Sequence, residues 1–126
     1  MKGNSSEITK YIHIARENHK KGNTYQANEI YKKLINQKIY TYELLISYGL
    51  FCKEINNLKI AKNLLILSIK KYPSKINSYI LLAEILRIEN KVDDALKTLY
   101  SAKKIEKSNP DIDYSLSISY LSLIHI

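Results

Sequence analysis

The side chains that most often perform catalysis or bind metals are scarce in this sequence, which has three histidines, one cysteine and three glycines. His13 and His19 are six residues apart, about 120° around a helix axis, so they do not share a face as a zinc-binding pair does. Cys52 has no histidine at a spacing typical of an activated nucleophile. The glycines are isolated, whereas a phosphate-binding loop needs them clustered. We therefore expect a protein that is not an enzyme, with no catalytic residue, metal ion or cofactor.

The charged residues give the chain a formal net charge of +8, from 20 basic and 12 acidic side chains. A charge of this size can attract nucleic acid or anionic membranes. Nevertheless, all the cations except Arg16 and Arg87 are lysine, and phosphate recognition usually favours arginine. Lys, Ile, Asn and Tyr are enriched together, as in AT-rich genomes. The composition thus indicates that codon bias, and not nucleic-acid binding, accounts for the positive charge. We also expect no membrane association.

The cellular compartment is predicted from what the chain lacks. A single cysteine excludes an internal disulfide framework. No apolar run of about 18 residues could span a membrane, and residues 1–6 lack the apolar stretch of a signal peptide. These features predict a cytoplasmic protein.

The elements that would position any functional residue follow from an internal repeat. Small residues recur every 34 positions in two columns, Ala15, Gly49, Ala83 and Ser117 in one and Ala27, Ala61 and Ala95 in the other. Between them, apolar residues recur three and four apart, which predicts amphipathic helices. With only 3 Gly and 2 Pro, a turn-rich β fold is disfavoured. The predicted helices cover about 6–20, 24–37, 41–54, 58–71, 75–88, 92–106 and 110 onward.

These columns resemble the tetratricopeptide repeat family, whose helix-turn-helix unit carries small and large apolar residues at fixed spacings. The second row matches best and ends, like many members, in a proline, Pro73. The resemblance implies an all-α solenoid of antiparallel hairpins. It divides one domain, 1–126, into repeats at about 8–41, 42–75 and 76–109 and the first helix of a fourth at 110–126.

By the same resemblance, the first helices of the repeats line a concave groove that binds an extended segment of a partner protein. The residues carried over to this groove are Ile12, Arg16, His19, Ile46, Leu50, Lys53, Ile80, Glu84 and Arg87. Exposed aliphatic side chains among them predict an apolar strip flanked by cations, which fits a peptide with an aliphatic anchor and acidic neighbours. The family's clamp for chaperone tails, which uses Lys, Asn and Arg, falls here on Ile12, Arg16, Ser47, Asn77 and Leu81, so that ligand is not expected.

Three functions remain open. A protein-interaction scaffold is the leading one. An accessory repeat segment of a larger enzyme, of the sulfotransferase, glycosyltransferase or methyltransferase type, is the second. An RNA-binding helical repeat is the third, although Glu43, Glu54 and Glu84 interrupt the basic character of the inner wall.

The C-terminal region predicts a fragment cut inside the fourth repeat. Residues 111–120 read as a first helix, and no second helix follows it. The last six residues, 121–126, are apolar where a solenoid usually has a polar cap, and they resemble the in-frame translation of a transposon end. We expect them to be non-native, and we expect self-association through residues 114–126.

Overall fold

The computed structural model describes residues 4–124, and within that range it contains seven helices and no strand. The helices are α1 (Ser5–Lys20), α2 (Thr24–Asn36), α3 (Tyr42–Glu54), α4 (Leu58–Lys71), α5 (Ile76–Ile88), α6 (Val92–Ile105) and α7 (Pro110–Ile124). The predicted all-α array of hairpins is confirmed. Residues 1–3, part of the start predicted to lack a signal peptide, and residues 125–126, part of the segment predicted to self-associate, lie outside the described residues.

Consecutive helices pair as antiparallel hairpins, α1 with α2, α3 with α4, and α5 with α6. Each hairpin packs on the next, and α7 packs on both α5 and α6. The first helices α1, α3, α5 and α7 also contact one another in sequence. They therefore form one continuous wall, on which the predicted groove residues lie.

Each first helix inside a hairpin ends in the same way, with one residue of left-handed backbone. Gly22, Asn56 and Asn90 have φ angles of 84°, 64° and 64°. The following backbone N–H donates to the carbonyl five residues earlier, at 2.8, 2.7 and 2.7 Å in the three hairpins. This is the Schellman arrangement, in which glycine and asparagine are favoured because they tolerate positive φ. It explains why these three residues recur with the repeat.

Except for Ser117, which is exposed, the recurring small residues lie where helices approach closely. The five alanines of the two columns are completely buried. A Cβ added at Gly49 would lie 3.1 Å from Cδ2 of Leu65, closer than ordinary van der Waals contact. Larger side chains at these positions would therefore push the two helices of a hairpin apart.

Polar contacts join the second hairpin to the third. The hydroxyls of Ser68 on α4 and Ser78 on α5 are 2.7 Å apart and buried. Pro73 lies in the connection between these helices, and its carbonyl accepts a hydrogen bond from the Tyr79 hydroxyl at 2.7 Å. Both contacts join one repeat to the next, so they fix how the hairpins stack.

Helix length and hydropathy show whether a helix could span a membrane. Over residues 4–124, none of the helices is both long enough and apolar enough to cross a bilayer.

Candidate partner-binding groove

The predicted groove residues lie along the wall formed by α1, α3, α5 and α7. Leu50 is 41% exposed and Arg16 is exposed, whereas the other predicted residues except Ile12 are half-buried. The wall contains two clefts, one between α1 and α3 and one between α5 and α7. Each cleft is lined by some of the predicted residues. Lys53 lies between the two clefts.

Ile12 does not belong to the groove surface, and that part of the prediction is wrong. Its side chain is 0% exposed and is part of the hydrophobic core. Arg16 lies one turn later on the same face of α1 and reaches across to Glu43 and Ser47 on α3. Because side chains on a helix lean toward its N-terminus, this bridge covers Ile12. Ile46, at the same repeat position, is followed one turn later by the shorter Leu50 and stays partly exposed.

The first cleft has a volume of about 510 Å³ and an apolar floor. Phe51 and Tyr31 form the floor, with ring centroids 5.3 Å apart, and Ile46 and Leu50 form one side. The polar residues around it are Arg16, His19, Lys20, Ser47 and Glu54. The cleft can therefore hold an aliphatic or aromatic side chain within a polar rim.

The polar rim of the first cleft is held together by contacts between α1 and α3. The Arg16 guanidinium donates to the Ser47 hydroxyl, and its other terminal nitrogen is 3.7 Å from Glu43. His19 Nε2 is 3.1 Å from a Glu54 carboxylate oxygen, and the His19 ring meets the Phe51 ring edge-on, with centroids 4.9 Å apart. Each cation or imidazole here thus has an acidic neighbour.

An ion pair joins the next two first helices. Lys53 Nζ on α3 lies 2.7 Å from Glu84 Oε2 on α5, and both side chains are mostly buried. The pair occupies the middle of the wall. It neutralises two of the residues that the sequence assigned to the groove.

The second cleft, of about 290 Å³, lies between α5 and α7. Arg87 donates from one terminal nitrogen to the hydroxyls of Ser115 and Ser119, at 3.0 and 3.1 Å. Burial lowers the pKa of the Arg87 guanidinium, and nearby Glu84 partly offsets this. The other lining residues are Asn77, Ile80, Asp111, Tyr114 and Ile118.

Sequence reasoning missed several residues that form these clefts. Phe51 and Tyr31 were assigned no role in the groove, yet they form the floor of the first cleft. Ser115 and Ser119 hold Arg87 in place. A signal for the serines existed, because they are four residues apart on one face of a largely apolar helix, where a buried hydroxyl needs a partner.

The side chains that could act as a nucleophile or as metal ligands are not arranged for either role in the described residues. Burial raises the pKa of the Cys52 thiol to about 12, so the thiol stays protonated at neutral pH. Within residues 4–124, no three His, Cys, Asp or Glu side chains converge as metal ligands would. A further cleft, of about 400 Å³, lies between α1 and α2 of the first hairpin, near Ile8 and Tyr11 on α1 and Ile30 and Leu34 on α2.

Comparison with known proteins finds no matching family model or curated protein, whereas several solved structures share the fold. The first TPR domain of Spaghetti (RPAP3), bound to an HSP90 peptide, has a TM-score of 0.82 at 16% identity over 96% of each chain. Yersinia enterocolitica SycD, in complex with a peptide of the translocator YopD, has a TM-score of 0.80 at 14% identity, over 94% of this chain and 95% of SycD. An O-GlcNAc transferase of Thermobaculum terrenum has a TM-score of 0.78 at 18% identity, over 94% of this chain but 23% of the transferase.

Proposed function

We propose that this chain, which has the tetratricopeptide repeat fold, is a non-catalytic protein-interaction scaffold that binds an extended segment of a partner protein in its concave groove. The observation that carries the proposal is the first cleft. Leu50 is 41% exposed beside an aromatic floor, in a cleft large enough for a side chain of the partner. Two of the structures that share the fold, those of the RPAP3 domain and SycD, hold peptides.

The partner is proposed to differ from the HSP90 peptide that the RPAP3 domain binds. Of the positions that correspond to the family's carboxylate clamp, Ile12 and Leu81 are buried and apolar. Ser47 is buried and accepts a hydrogen bond from Arg16. These side chains leave no set of cations and amides to hold a terminal carboxylate.

A test of the scaffold proposal uses Ile46→Glu combined with Leu50→Glu. We expect a phage-displayed library of 12-residue peptides, selected on the purified chain, to yield binders that the double variant loses by at least about 100-fold. The reason is that two carboxylates would have to be desolvated in the apolar cleft. Fluorescence anisotropy with the selected peptides measures the loss, and circular dichroism checks that helicity is retained.

The matched control introduces two glutamates at exposed aliphatic positions on the other helix of the hairpin. Ile60 and Ile66 on α4 are 37% and 50% exposed and lie outside the first cleft. Ile60→Glu with Ile66→Glu should bind the selected peptides as the wild type does. Equal binding by the groove variant, or a selection that yields no binder, would contradict the proposal. The HSP90 peptide should not bind any of the proteins.

The second candidate function, an accessory segment of a larger enzyme, is favoured by one observation. The O-GlcNAc transferase contains a similar array in about a quarter of its length. Such an array would position a substrate protein for a catalytic domain elsewhere. In both candidate functions the groove binds an extended segment of another protein. They differ in whether the chain is joined to a catalytic domain.

We also propose that the chain self-associates through α7. Near the end of this helix, Leu121, Leu123 and Ile124 are 64%, 51% and 71% exposed. Large aliphatic side chains exposed together are typical of an interface. Leu121 and Ile124 are three residues apart and share a face of α7. Sedimentation equilibrium should show a mass that rises with concentration, and Leu121→Ser with Ile124→Ser should abolish the rise. A wild-type monomer at every concentration would show that this helix is not an interface.

A further inference from the structure

The three cations assigned to the groove differ in what they are paired with. Arg16 has Glu43 at 3.7 Å, and Lys53 has Glu84 at 2.7 Å. None of the ion pairs in the described part of the chain includes Arg87, which donates only to the hydroxyls of Ser115 and Ser119. Among the described residues, Arg87 is thus the groove cation that forms no ion pair.

The free donors of Arg87 are available for a ligand. A guanidinium has five N–H donors, and the two serine hydroxyls accept from one terminal nitrogen. The Nε and the second terminal nitrogen keep their donors. The serines fix the guanidinium in the second cleft, so less side-chain entropy is lost when an anion binds.

Two acidic residues also line the second cleft, and neither forms an ion pair with Arg87, although Glu84 lies near it. Glu84 is held by Lys53, so Lys53, Glu84 and Arg87 together carry one positive charge. Asp111 is exposed near the start of α7, one turn before Ser115 and two before Ser119. It therefore lies about 6 and 12 Å along the helix axis from the two serines that hold Arg87.

The first cleft has the opposite character. Each basic side chain around it has an acidic neighbour: Arg16 lies beside Glu43, His19 beside Glu54, and Lys20 beside Glu17. Its floor is aromatic, and Leu50 is exposed beside it. The groove consequently has an apolar cleft at the α1–α3 end and, at the α5–α7 end, an arginine that forms no ion pair.

Resting on the proposed function, we infer that the groove has two subsites with different ligands. A partner segment places an aliphatic side chain in the first cleft, against Leu50 and Phe51, and a carboxylate side chain in the second cleft, on Arg87. The acidic residue of the partner thus lies on one side of the anchor only, and neither Arg16 nor Lys53 recognises it.

The distance between the clefts sets the spacing of the two partner residues. The centre of the first cleft and that of the second are separated by two helix-to-helix steps, each about 8–10 Å. An extended chain covers about 3.3 Å per residue. The acidic residue should therefore lie about five or six residues from the aliphatic anchor.

The experiment varies the distance between one glutamate and the aliphatic anchor of a peptide. Soluble 16-residue peptides of Ser, Thr and Gln carry a Leu-Leu anchor and a single Glu two to nine residues from it, on either side, and the reference peptide has Gln in place of Glu. Affinities are measured by fluorescence anisotropy for the wild type, Arg87→Gln, Arg87→Lys and the matched variants Arg16→Gln and Lys53→Gln. One further series replaces Glu with phosphoserine.

We expect Glu five or six residues from the anchor to tighten binding about ten-fold over Gln, because it gains a charge-assisted pair with Arg87. Arg87→Gln should remove this gain while the Gln peptide binds as before, and Arg87→Lys should restore part of it. The gain should persist in Arg16→Gln and Lys53→Gln.

Three results would overturn the two-subsite arrangement while leaving the scaffold function intact. They are a gain that is independent of spacing, a gain that survives Arg87→Gln, and a gain for phosphoserine but not for glutamate. If neither the Glu nor the Gln peptides bind the wild type, the proposed function itself is wrong.

Discussion

Ile12→Asp is expected to destabilise the chain by at least about 4 kcal/mol and to unfold the first hairpin. Ile12 is 0% exposed in the core that α1 shares with α2 and α3. A carboxylate there would be buried beneath Arg16, whose guanidinium is already paired with Glu43 and Ser47. A buried charge that is not fully paired typically costs about 3–5 kcal/mol beyond the lost apolar contact. Urea denaturation followed by circular dichroism measures the change.

The matched control is Ile46→Asp, at the same position in the next repeat. Ile46 lies partly exposed on the side of the first cleft, so its carboxylate can remain hydrated. Its cost should be below about 1.5 kcal/mol. Similar costs for the two variants would mean that Ile12 belongs to the groove surface after all.

Phe51→Ala is expected to cost about 3–5 kcal/mol, because it leaves a cavity where four rings meet. Phe51 is 1% exposed, and its ring centroid lies 4.9 Å from that of His19, 5.3 Å from that of Tyr31 and 6.3 Å from that of Tyr48. The midpoint of urea unfolding reports the loss. Peptide binding measured below that midpoint should also weaken, since Phe51 forms the floor of the first cleft.

Leu50→Ala, one residue earlier in α3, is the control for this second prediction. Because Leu50 is 41% exposed, its truncation should change the unfolding free energy by less than about 1 kcal/mol. It should still weaken peptide binding. Equal destabilisation by the two variants would indicate that α3 is rotated relative to the structure.

The helices could be predicted closely because their signals are local. Asparagine or glycine at the end of each first helix and the small residues every 34 positions determine where a helix ends and which face packs. No predicted helix end differs from the observed one by more than one residue. Capping depends on neighbours three to five residues away, and the spacing of apolar residues within one helix shows which of its faces packs.

The details of the groove could not be predicted because they depend on side chains far apart in the chain. Ser47 lies 31 residues after Arg16, and Ser119 lies 32 residues after Arg87. No local pattern reveals that the first arginine also meets a carboxylate and the second does not. The same reason explains the error at Ile12, whose burial depends on the bridge from Arg16 to α3 and not on its own repeat position.

The order of contacts between helices has a consequence for cooperativity. In the described range, α1 contacts α2 and α3, whereas α7 contacts α5 and α6, so the two ends of the solenoid have no direct contact. Arrays of this kind can unfold from one end while the other remains folded. A partner segment that spans both clefts would join α1 to α7 through its own backbone. Binding would then couple the two ends, and hydrogen exchange at both should slow together although neither end touches the other.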